Sequence, residues 1–512
     1  MGTAAETATE RHSVSKEIGV AARHSVVYGI GGILTKAVSF LLLPFYTHYL
    51  TPRDYGVLEI LDLSMSLLAM FLNMGVTAAL LKYYGSAETD EERRNVIGST
   101  FLFALSTGAF IFLAGMPFIP KLTLFLLGPQ VPSSYMFVSF GGFVLNYISN
   151  VPYTHLRAKE ESGRIVVFDI VVAVAILTLN IYFIVSWHMS LFGVLLSPLI
   201  VGIVKMFILI KWMYQDIAIR MDWGLLRRIL RFGAPLILFN LTMFTLNFSD
   251  RYFLQRIVSL DAVGLYAVGY KFGFMLNFLL IQPFNMMWQA RMYLVYRRTD
   301  HCRIFGQVFV LYSAALLLGA LGLALFGPEI VRIMADRSYA AAGSVVAPVA
   351  LAYVFLGIGY YLQLGMFLSA RTGMIGLISA GAAIVNLALN EILITRFGMM
   401  GAAWATVLGF LAIAAGSYYF SQRACPLDLP IGRVLRGFAA ALAVYFAGRE
   451  PHVAPALAVT IKSVLLLGFP FLLRAIGVLS HDELATFGSL WQNMKSRLLG
   501  PPHQDEIAMA GK

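Results

Sequence analysis

The sequence predicts an all-α polytopic membrane protein with about fourteen transmembrane helices. Hydrophobic residues make up 59% of the chain and charged residues only 13%, whereas about a quarter of a soluble domain is charged. The apolar residues form blocks of about 20, the length that crosses a hydrocarbon core of about 30 Å. Charged residues, Gly and Pro lie between these blocks. This composition argues against a soluble fold.

The individual helices follow from the blocks and from the residues that bound them. The first six are predicted at 26–49, 56–81, 96–118, 133–155, 165–187 and 190–213. The next eight are predicted at 232–253, 264–286, 304–326, 345–369, 373–395, 400–421, 432–449 and 454–477. The polar segment 1–25 lacks a small-residue cleavage site, so the first block is expected to remain as an anchor.

Two pairs of similar stretches indicate an internal duplication. "PRDYGVLEI" is similar to "SLDAVGLYAV", in which Gly264 follows Gly56 by 208 residues. "SLFGVLLS" is similar to "GMMGAAWATVLG", in which Gly401 follows Gly193 by the same 208 residues. The shared offset predicts that helices 1 to 6 and helices 7 to 12 are copies of one unit. Because six is an even number, the copies are parallel repeats related by an axis along the membrane normal.

The duplication divides the chain into an N-lobe, 26–213, and a C-lobe, 232–421. The charged, amphipathic segment 214–231 predicts a cytoplasmic linker that lies at the membrane surface. Helices 13 and 14 occupy 422–478. The cytoplasmic tail 479–512 contains apolar residues on one helical face, which predicts an interfacial helix, with a partner-binding helix as the alternative.

The distribution of Lys and Arg predicts the orientation in the membrane. Of the 38 Lys and Arg residues, 26 belong to the side that carries the N-terminus, 8 to the other side and 4 to helix interiors. Both termini are therefore expected to be cytoplasmic. The net charge of +11 reflects this bias and attraction to anionic headgroups. It does not indicate nucleic-acid binding, because no basic, aromatic-rich soluble module is present.

Ionisable residues inside the predicted helices mark a candidate substrate path, because hydrocarbon tolerates them poorly. Lys36 lies about ten residues into helix 1, near the middle of the bilayer. A cavity-facing role and a buried ion pair are both open for it. Asp62 and Lys271 follow the paired glycines of the repeat by six and seven residues. The repeat therefore places an acid and a base at nearly matching positions of the two lobes.

Further polar residues have two possible uses each. Asp250 and Arg251, at the outer end of helix 7, either join the substrate path or form a capping pair at the headgroups. Asp169 on helix 5 and Lys205 on helix 6 lie about 7 to 10 Å from the cytoplasmic end and predict a structural ion pair. Seven amide side chains either line a hydrated cavity or join helices: Asn240, Asn247, Gln282, Asn285, Gln289, Asn386 and Asn390.

No motif for catalysis or nucleotide binding is found, since the chain has no P-loop, no HExxH and no convincing dinucleotide fingerprint. Cys302 and Cys425 cannot form a Cys-rich metal site. We therefore expect a protein that is not an enzyme and needs no cofactor or metal. Transport would draw on the substrate gradient or on an ion gradient, H⁺ or Na⁺.

Three stretches resemble the polysaccharide-transporter family of the multidrug/oligosaccharidyl-lipid/polysaccharide (MOP) exporter superfamily. They are "GGILTKAVSFLLLPFYTHYLTPRDYGVLEI", then "LRFGAPLILFNLTMFTLNFSDRYFL" with "AVGLYAVGYK", and "NLALNEILITRFGMMGAAWATVLG". The resemblance implies two six-helix lobes around a central cavity plus two C-terminal helices. It also implies a flippase that carries polyprenyl-diphosphate-linked oligosaccharide (O-antigen, capsule or exopolysaccharide) across the bacterial cytoplasmic membrane by alternating access.

The family's cationic cavity, carried over to this sequence, falls on Lys36 and Lys271, where a diphosphate needs counter-charge, with Arg251 at the rim. The partners implied are the lipid-linked oligosaccharide, membrane lipids, a polysaccharide polymerase and other assembly proteins. A cation-coupled multidrug exporter of the same superfamily is the first alternative, although the deep Lys36 favours an anionic substrate. A membrane-embedded polysaccharide polymerase or ligase is the second, and the short outer loops count against it.

Overall fold

The computed structural model describes residues 42–73, 76–218, 220–449 and 454–480, and over these residues it is built from helices. Ten of the described helices are long and apolar enough to cross a membrane. The prediction of an all-α, multi-pass membrane protein is confirmed. The count of fourteen transmembrane helices is not confirmed.

In the first half of the chain, residues 42–49 are helical, and most of predicted helix 1 lies outside the described residues. The helices that follow are α1 (Pro52–Asn73), α2 (Val76–Gly85), α3 (Asp90–Gly115), α4 (Ile119–Leu127), α5 (Ser133–Ala158), α6 (Ser162–Ile181) and α7 (Ser190–Met213). Predicted helix 3, 96–118, corresponds to α3 and the 3₁₀ turn Met116–Phe118 that follows it, and α4 extends beyond the predicted end. Prolines at the start of the turn and of α4 interrupt the helical hydrogen bonds.

In the second half, the helices are α8 (Trp223–Ile257), α9 (Leu260–Leu276), α10 (Gln282–Tyr296), α11 (His301–Met334), α12 (Gly343–Leu362), α13 (Leu364–Leu368), α14 (Gly373–Ala424), α15 (Ile431–Gly448) and α16 (Pro455–Ala475). A short 3₁₀ turn, Arg337–Ala342, precedes α12. The predicted helices 2 to 14 therefore overlap the described helices, although α10 ends ten residues beyond predicted helix 8 and α11 ends eight residues beyond predicted helix 9.

Three features explain why the described residues contain ten apolar spans although fourteen transmembrane helices were predicted. Helices α5 and α8 are not among the ten, and most of predicted helix 1 is not described. The 52 residues of α14 count as one span, but Gly398 has φ 56° and ψ −131° and divides it in two. Just beyond this break, a Cβ on Gly401 would lie 2.0 Å from the carbonyl oxygen of Leu393. The two parts of α14 thus correspond to predicted helices 11 and 12.

The segment predicted as an amphipathic linker, 214–231, is shorter than expected. Helix α8 begins at Trp223, nine residues before the predicted start of helix 7, because the Asp222 side chain caps it by accepting a hydrogen bond from the Leu225 amide at 2.9 Å. The amide of Asp222 donates to Ser99 Oγ at 2.9 Å, and Ser99 Oγ donates to the carbonyl of Arg220 at 3.2 Å. The remaining linker is therefore held against α3.

The chain forms two compact units. The first comprises the described residues within Met1–Val268 together with Val331–Ala342 and Asn386–Ala402. The second comprises the described residues within Gly269–Ile330, Gly343–Val385 and Ala403–Lys512. This division differs from the predicted lobes, because α8 and three segments of the second half pack with the first half. The lobe boundaries stay a prediction.

Helices α15 and α16 belong to the second unit and pack against α11. A Cβ on Gly448 of α15 would lie 2.7 Å from a methyl carbon of Leu325 on α11. Lys462 of α16 is 3% exposed, and its Nζ lies 2.6 Å from Oε1 of Glu329 on α11. The last two helices are thus joined to α11 by packing and by one ion pair. The tail 479–512, with its predicted interfacial helix, lies almost wholly outside the described residues.

Candidate functional site

Helices α1 and α9, one from each half of the duplication, cross in direct backbone contact within the first unit. A Cβ on Gly56 would lie 1.9 Å from the carbonyl oxygen of Leu260, and a Cβ on Gly264 would lie 1.9 Å from the carbonyl oxygen of Pro52. The contact is reciprocal, because each glycine meets the residue four positions before the other. The predicted repeat pair therefore forms a pseudo-symmetric helix crossing, and no residue larger than glycine fits at either position.

A tyrosine from the 3₁₀ turn extends this contact. Tyr339 is fully buried, its hydroxyl donates to the carbonyl of Leu50 at 3.0 Å, and its ring packs edge-on against Tyr55 at a centroid distance of 6.0 Å. Asp336 begins the turn by accepting hydrogen bonds from the Ser338 amide at 2.9 Å and hydroxyl at 2.8 Å. These bonds lower the pKa of Asp336, so the turn keeps its charged cap around neutral pH.

A buried ion-pair network lies next to the glycine crossing. Nη1 of Arg251 donates to Oδ1 of Asp250 at 2.7 Å, and its Nε lies 3.6 Å from Oε1 of Glu59 on α1. The hydroxyl of Tyr266 on α9 donates to Oδ2 of Asp250 at 2.5 Å. Asp250 and Arg251 are each only 2% exposed. The network therefore joins α8 to α1 and α9 inside the first unit.

One further contact lies deeper along the same helices, where Ser64 Oγ of α1 and the Tyr252 hydroxyl of α8 are 3.2 Å apart. We call these contacts together the seam. The seam consists of Gly56, Glu59 and Ser64 of α1, Gly264 and Tyr266 of α9, Asp250, Arg251 and Tyr252 of α8, and Tyr339. We call the side of the protein with the turn at residues 50–51 the hairpin face, and the side with residues 217–222 the linker face. The seam joins α1, α8, α9 and the 3₁₀ turn within the first unit.

The residues predicted to bind substrate have different positions in the structure. Lys36 lies outside the described residues. Asp62 is exposed on α1, two helical turns below Gly56, and Lys271 is exposed on α9 in the second unit. Asp250 and Arg251 form a buried ion pair with each other inside α8. In this conformation neither is accessible to a substrate, and their role in binding stays a prediction.

Asp169 and Lys205, predicted as a structural ion pair, each form a hydrogen bond with another side chain, and their pairing stays a prediction. Among the described residues, Oδ2 of Asp169 accepts a hydrogen bond from the Tyr153 hydroxyl at 2.7 Å, and Nζ of Lys205 donates to Asn146 at 3.2 Å. Nζ of Lys205 lies 5.7 Å from the centre of the Tyr153 ring. Tyr153 thus lies between the two charges, since its ring faces the Lys205 ammonium and its hydroxyl donates to the Asp169 carboxylate.

Two of the amides singled out in the sequence join helices. Asn390 Nδ2 donates to Asn386 Oδ1 at 3.1 Å and to Ser249 Oγ at 3.3 Å, and both asparagines are buried. This cluster ties α14 to α8 next to the seam. Gln282 and Gln289 are exposed on α10 and Asn240 on α8, while Asn247 and Asn285 are half-buried.

Sequence reasoning did not assign five members of the seam: Glu59, Ser64, Tyr252, Tyr266 and Tyr339. Glu59 has a signal in the sequence, because its place one turn below Gly56 indicates a role at the crossing. Tyr339 has no such signal, because it lies in a connecting segment and its partners are more than 280 residues away. In the described part of the chain, no group of three His, Cys, Asp or Glu residues has a geometry that would hold a metal ion.

The chain resembles known proteins in sequence. Residues 21–287, more than half of the chain, match the family model described as polysaccharide biosynthesis protein. A curated relative from Haemophilus influenzae, a protein of the Lsg locus, is 27% identical over 270 residues. That match covers 51% of this chain and 63% of the relative, so it spans less than two thirds of the relative's length.

Solved structures resemble the chain in fold. A structure of the lipid II flippase MurJ in an inward closed conformation has a TM-score of 0.68 at 13% identity and covers 89% of this chain and 99% of that chain. An inward-facing structure of a multidrug resistance MATE family transporter of the MOP superfamily has a TM-score of 0.61 at 16% identity and covers 75% of this chain and 93% of that chain. The neighbours are a flippase and transporters, and not enzymes. The chain therefore belongs to the polysaccharide biosynthesis protein family and has the fold of MOP-superfamily transporters.

Proposed function

We propose that the protein is a flippase that moves a polyprenyl-diphosphate-linked oligosaccharide across the bacterial cytoplasmic membrane by alternating access. The oligosaccharide is the repeat unit of an O-antigen, a capsule or an exopolysaccharide. The seam is the observation that carries this proposal. It joins the two halves of a duplicated transporter fold at one face, which is what a transporter closed on one side of the membrane requires.

The exposed charges on the seam helices support an anionic, polar substrate. A charged side chain at mid-helix costs about 2.5 to 3.5 kcal/mol in hydrocarbon on insertion scales, so we expect exposed Asp62 and exposed Lys271 each to face water. Lys271, with Lys36, supplies counter-charge for the diphosphate. Arg251 and Asp250 become accessible only when the seam opens.

The charge bias of the sequence supports the orientation. With 26 of 38 Lys and Arg residues on the side of the N-terminus, both termini lie in the cytoplasm and the hairpin face lies outside. The seam is then the outer gate. Opening of the gate releases the oligosaccharide into the outer leaflet, and the cycle draws on the substrate gradient or on an H⁺ or Na⁺ gradient.

The test is a deletion strain in which lipid-linked oligosaccharide is located by its accessibility to impermeant sugar-modifying reagents. We expect the oligosaccharide to accumulate facing the cytoplasm, and expression of the wild-type protein to restore export. Lys271→Ala and Lys36→Ala are expected to restore export poorly although they insert normally. Lys121→Ala is the matched control, because Lys121 is exposed on α4 outside the seam and should export normally.

Two outcomes would contradict the proposal. Normal glycan export with a loss of drug resistance in the deletion strain would identify a multidrug exporter. Oligosaccharide that reaches the outer leaflet but is not polymerised would identify a polymerase. In proteoliposomes, collapsing the H⁺ and Na⁺ gradients separately shows which ion, if either, drives flipping.

A further inference from the structure

The start of α8 carries an exposed basic surface on the linker face. Arg227, Arg228 and Arg231 are exposed, while Leu226 and Ile229 on the opposite side are buried. In the described part of the chain, no carboxylate forms an ion pair with any of these three guanidinium groups. The carboxylate nearest in sequence, Asp222, caps the helix. Three cationic groups are therefore available to a ligand.

A lysine from a neighbouring helix extends this surface. Nζ of Lys82, on α2, lies 4.3 Å from the centre of the Phe232 ring. Phe232 and Arg228 are one helical turn apart and share a face of α8. Lys82 therefore lies on the same side as Arg228, and the basic surface is formed by two helices. We call Lys82, Arg227, Arg228 and Arg231 the basic patch.

The length of α8 places the basic patch at the depth of the headgroups. Arg231 and Arg227 lie about 39 Å and 45 Å from Ile257 at 1.5 Å per residue, and a bilayer with its headgroups is about 40 to 45 Å thick. Trp223, one turn before Arg227, is 71% exposed and Phe232 is 39% exposed. Exposed aromatic side chains of this kind are typical of the membrane interface. With Ile257 at the opposite membrane surface, the patch reaches the headgroup region.

We propose that the basic patch binds the headgroup of an anionic phospholipid in the leaflet of the linker face. Guanidinium groups bind phosphate oxygens through paired hydrogen bonds, and the aromatic side chains beside them lie against the upper acyl chains. The bound lipid fixes the start of α8, which runs on into the seam at Asp250 and Arg251. The site does not depend on which substrate the protein transports.

The test is a titration of the purified full-length protein, in a neutral detergent, with phosphatidylglycerol and with phosphatidylcholine. Bound lipid is counted by native mass spectrometry. We expect phosphatidylglycerol to bind, phosphatidylcholine to bind far less, and Arg227→Gln/Arg228→Gln/Arg231→Gln to weaken phosphatidylglycerol binding on the order of a hundredfold, at about fivefold per residue. The matched control is Arg332→Gln/Arg337→Gln/Arg396→Gln, which removes three exposed arginines from the hairpin face and should retain wild-type binding.

Three results would overturn the proposal. Equal losses in the test and control variants would mean that overall charge sets the binding. Equal binding of the two lipids would remove the role of the anionic headgroup. If the test variant lost affinity for a short-chain polyprenyl diphosphate but kept its affinity for phosphatidylglycerol, the patch would be a capture site for the substrate. Unchanged thermal unfolding of both variants in detergent alone verifies that they are folded.

Discussion

At the scale of single residues, the pairing of Arg251 decides what its substitution does. Arg251 and Asp250 are both 2% exposed and 2.7 Å apart, whereas the Glu59 side chain is 14% exposed and contacts Arg251 at 3.6 Å. Removing one partner of a buried pair leaves an uncompensated charge. Glu59 is a more exposed and more distant partner, so its loss costs less.

We therefore predict different stabilities for Arg251→Leu and Glu59→Gln. Arg251→Leu is expected to lower the free energy of unfolding by about 3 to 5 kcal/mol, because Asp250 stays buried without its cation. Glu59→Gln is expected to lower it by about 1 kcal/mol or less. Reversible unfolding in mixed micelles measures both values. Equal losses in the two variants would show that Arg251 has no special partner in Asp250.

At the scale of helices, the crossing of α1 and α9 depends on glycine at positions 56 and 264, where a side chain would not fit. We predict that Gly56→Ala and Gly264→Ala each force the helices apart, because the new Cβ would lie 1.9 Å from a backbone carbonyl oxygen that cannot rotate away. The expected result is faster labelling of a cysteine placed at Tyr55, measured with an impermeant maleimide in a background with Cys302→Ser and Cys425→Ser.

The matched control for this prediction is Gly381→Ala. Gly381 lies inside α14, and a Cβ at its position would have no neighbouring atom within 4 Å, so alanine is expected to fit and to favour the helix slightly. Labelling at wild-type rates in Gly56→Ala would contradict a tight crossing.

The ion pair between Lys462 of α16 and Glu329 of α11 helps to attach the last two helices. We predict that Lys462→Met is strongly destabilising, because Glu329 would stay largely buried without a cation, and that Lys462→Met/Glu329→Gln recovers much of the loss. Thermal unfolding of the two single variants and the double variant measures the coupling. Additive effects would show that the 2.6 Å contact contributes little.

At the scale of the whole molecule, the positions of the helices could be predicted from the sequence, but most contacts between side chains could not. Helix positions follow from the length of the apolar blocks and from the charged residues, Gly and Pro between them, which are local features. Helix α7, for example, has the predicted bounds 190–213. Partners depend on tertiary packing, as Tyr153 shows by separating Asp169 from Lys205. The repeat carries long-range information, and two of its matched glycines, Gly56 and Gly264, lie at the crossing of α1 and α9.

Because alternating access requires the hairpin face to open, we predict that a cross-link across this face stops the transport cycle. Thr51 and Ser338 are exposed neighbours of Leu50 and Tyr339, which are hydrogen-bonded. We expect Thr51→Cys/Ser338→Cys, without the native cysteines, to lose flipping after treatment with a reducible bifunctional thiol reagent and to regain it after reduction. Each single-cysteine variant should flip normally throughout. Full activity of the cross-linked protein would mean that this face does not open.

The reciprocal glycine crossing also has a consequence for ancestry. When residue i meets residue j−4 and residue j meets residue i−4, the contact has the form that two identical chains make across a two-fold axis. The crossing thus has the form of a dimer interface inside one polypeptide. Two chains produced separately by a cut within residues 217–222 should associate in the membrane through this contact, and alanine at either glycine should keep them apart.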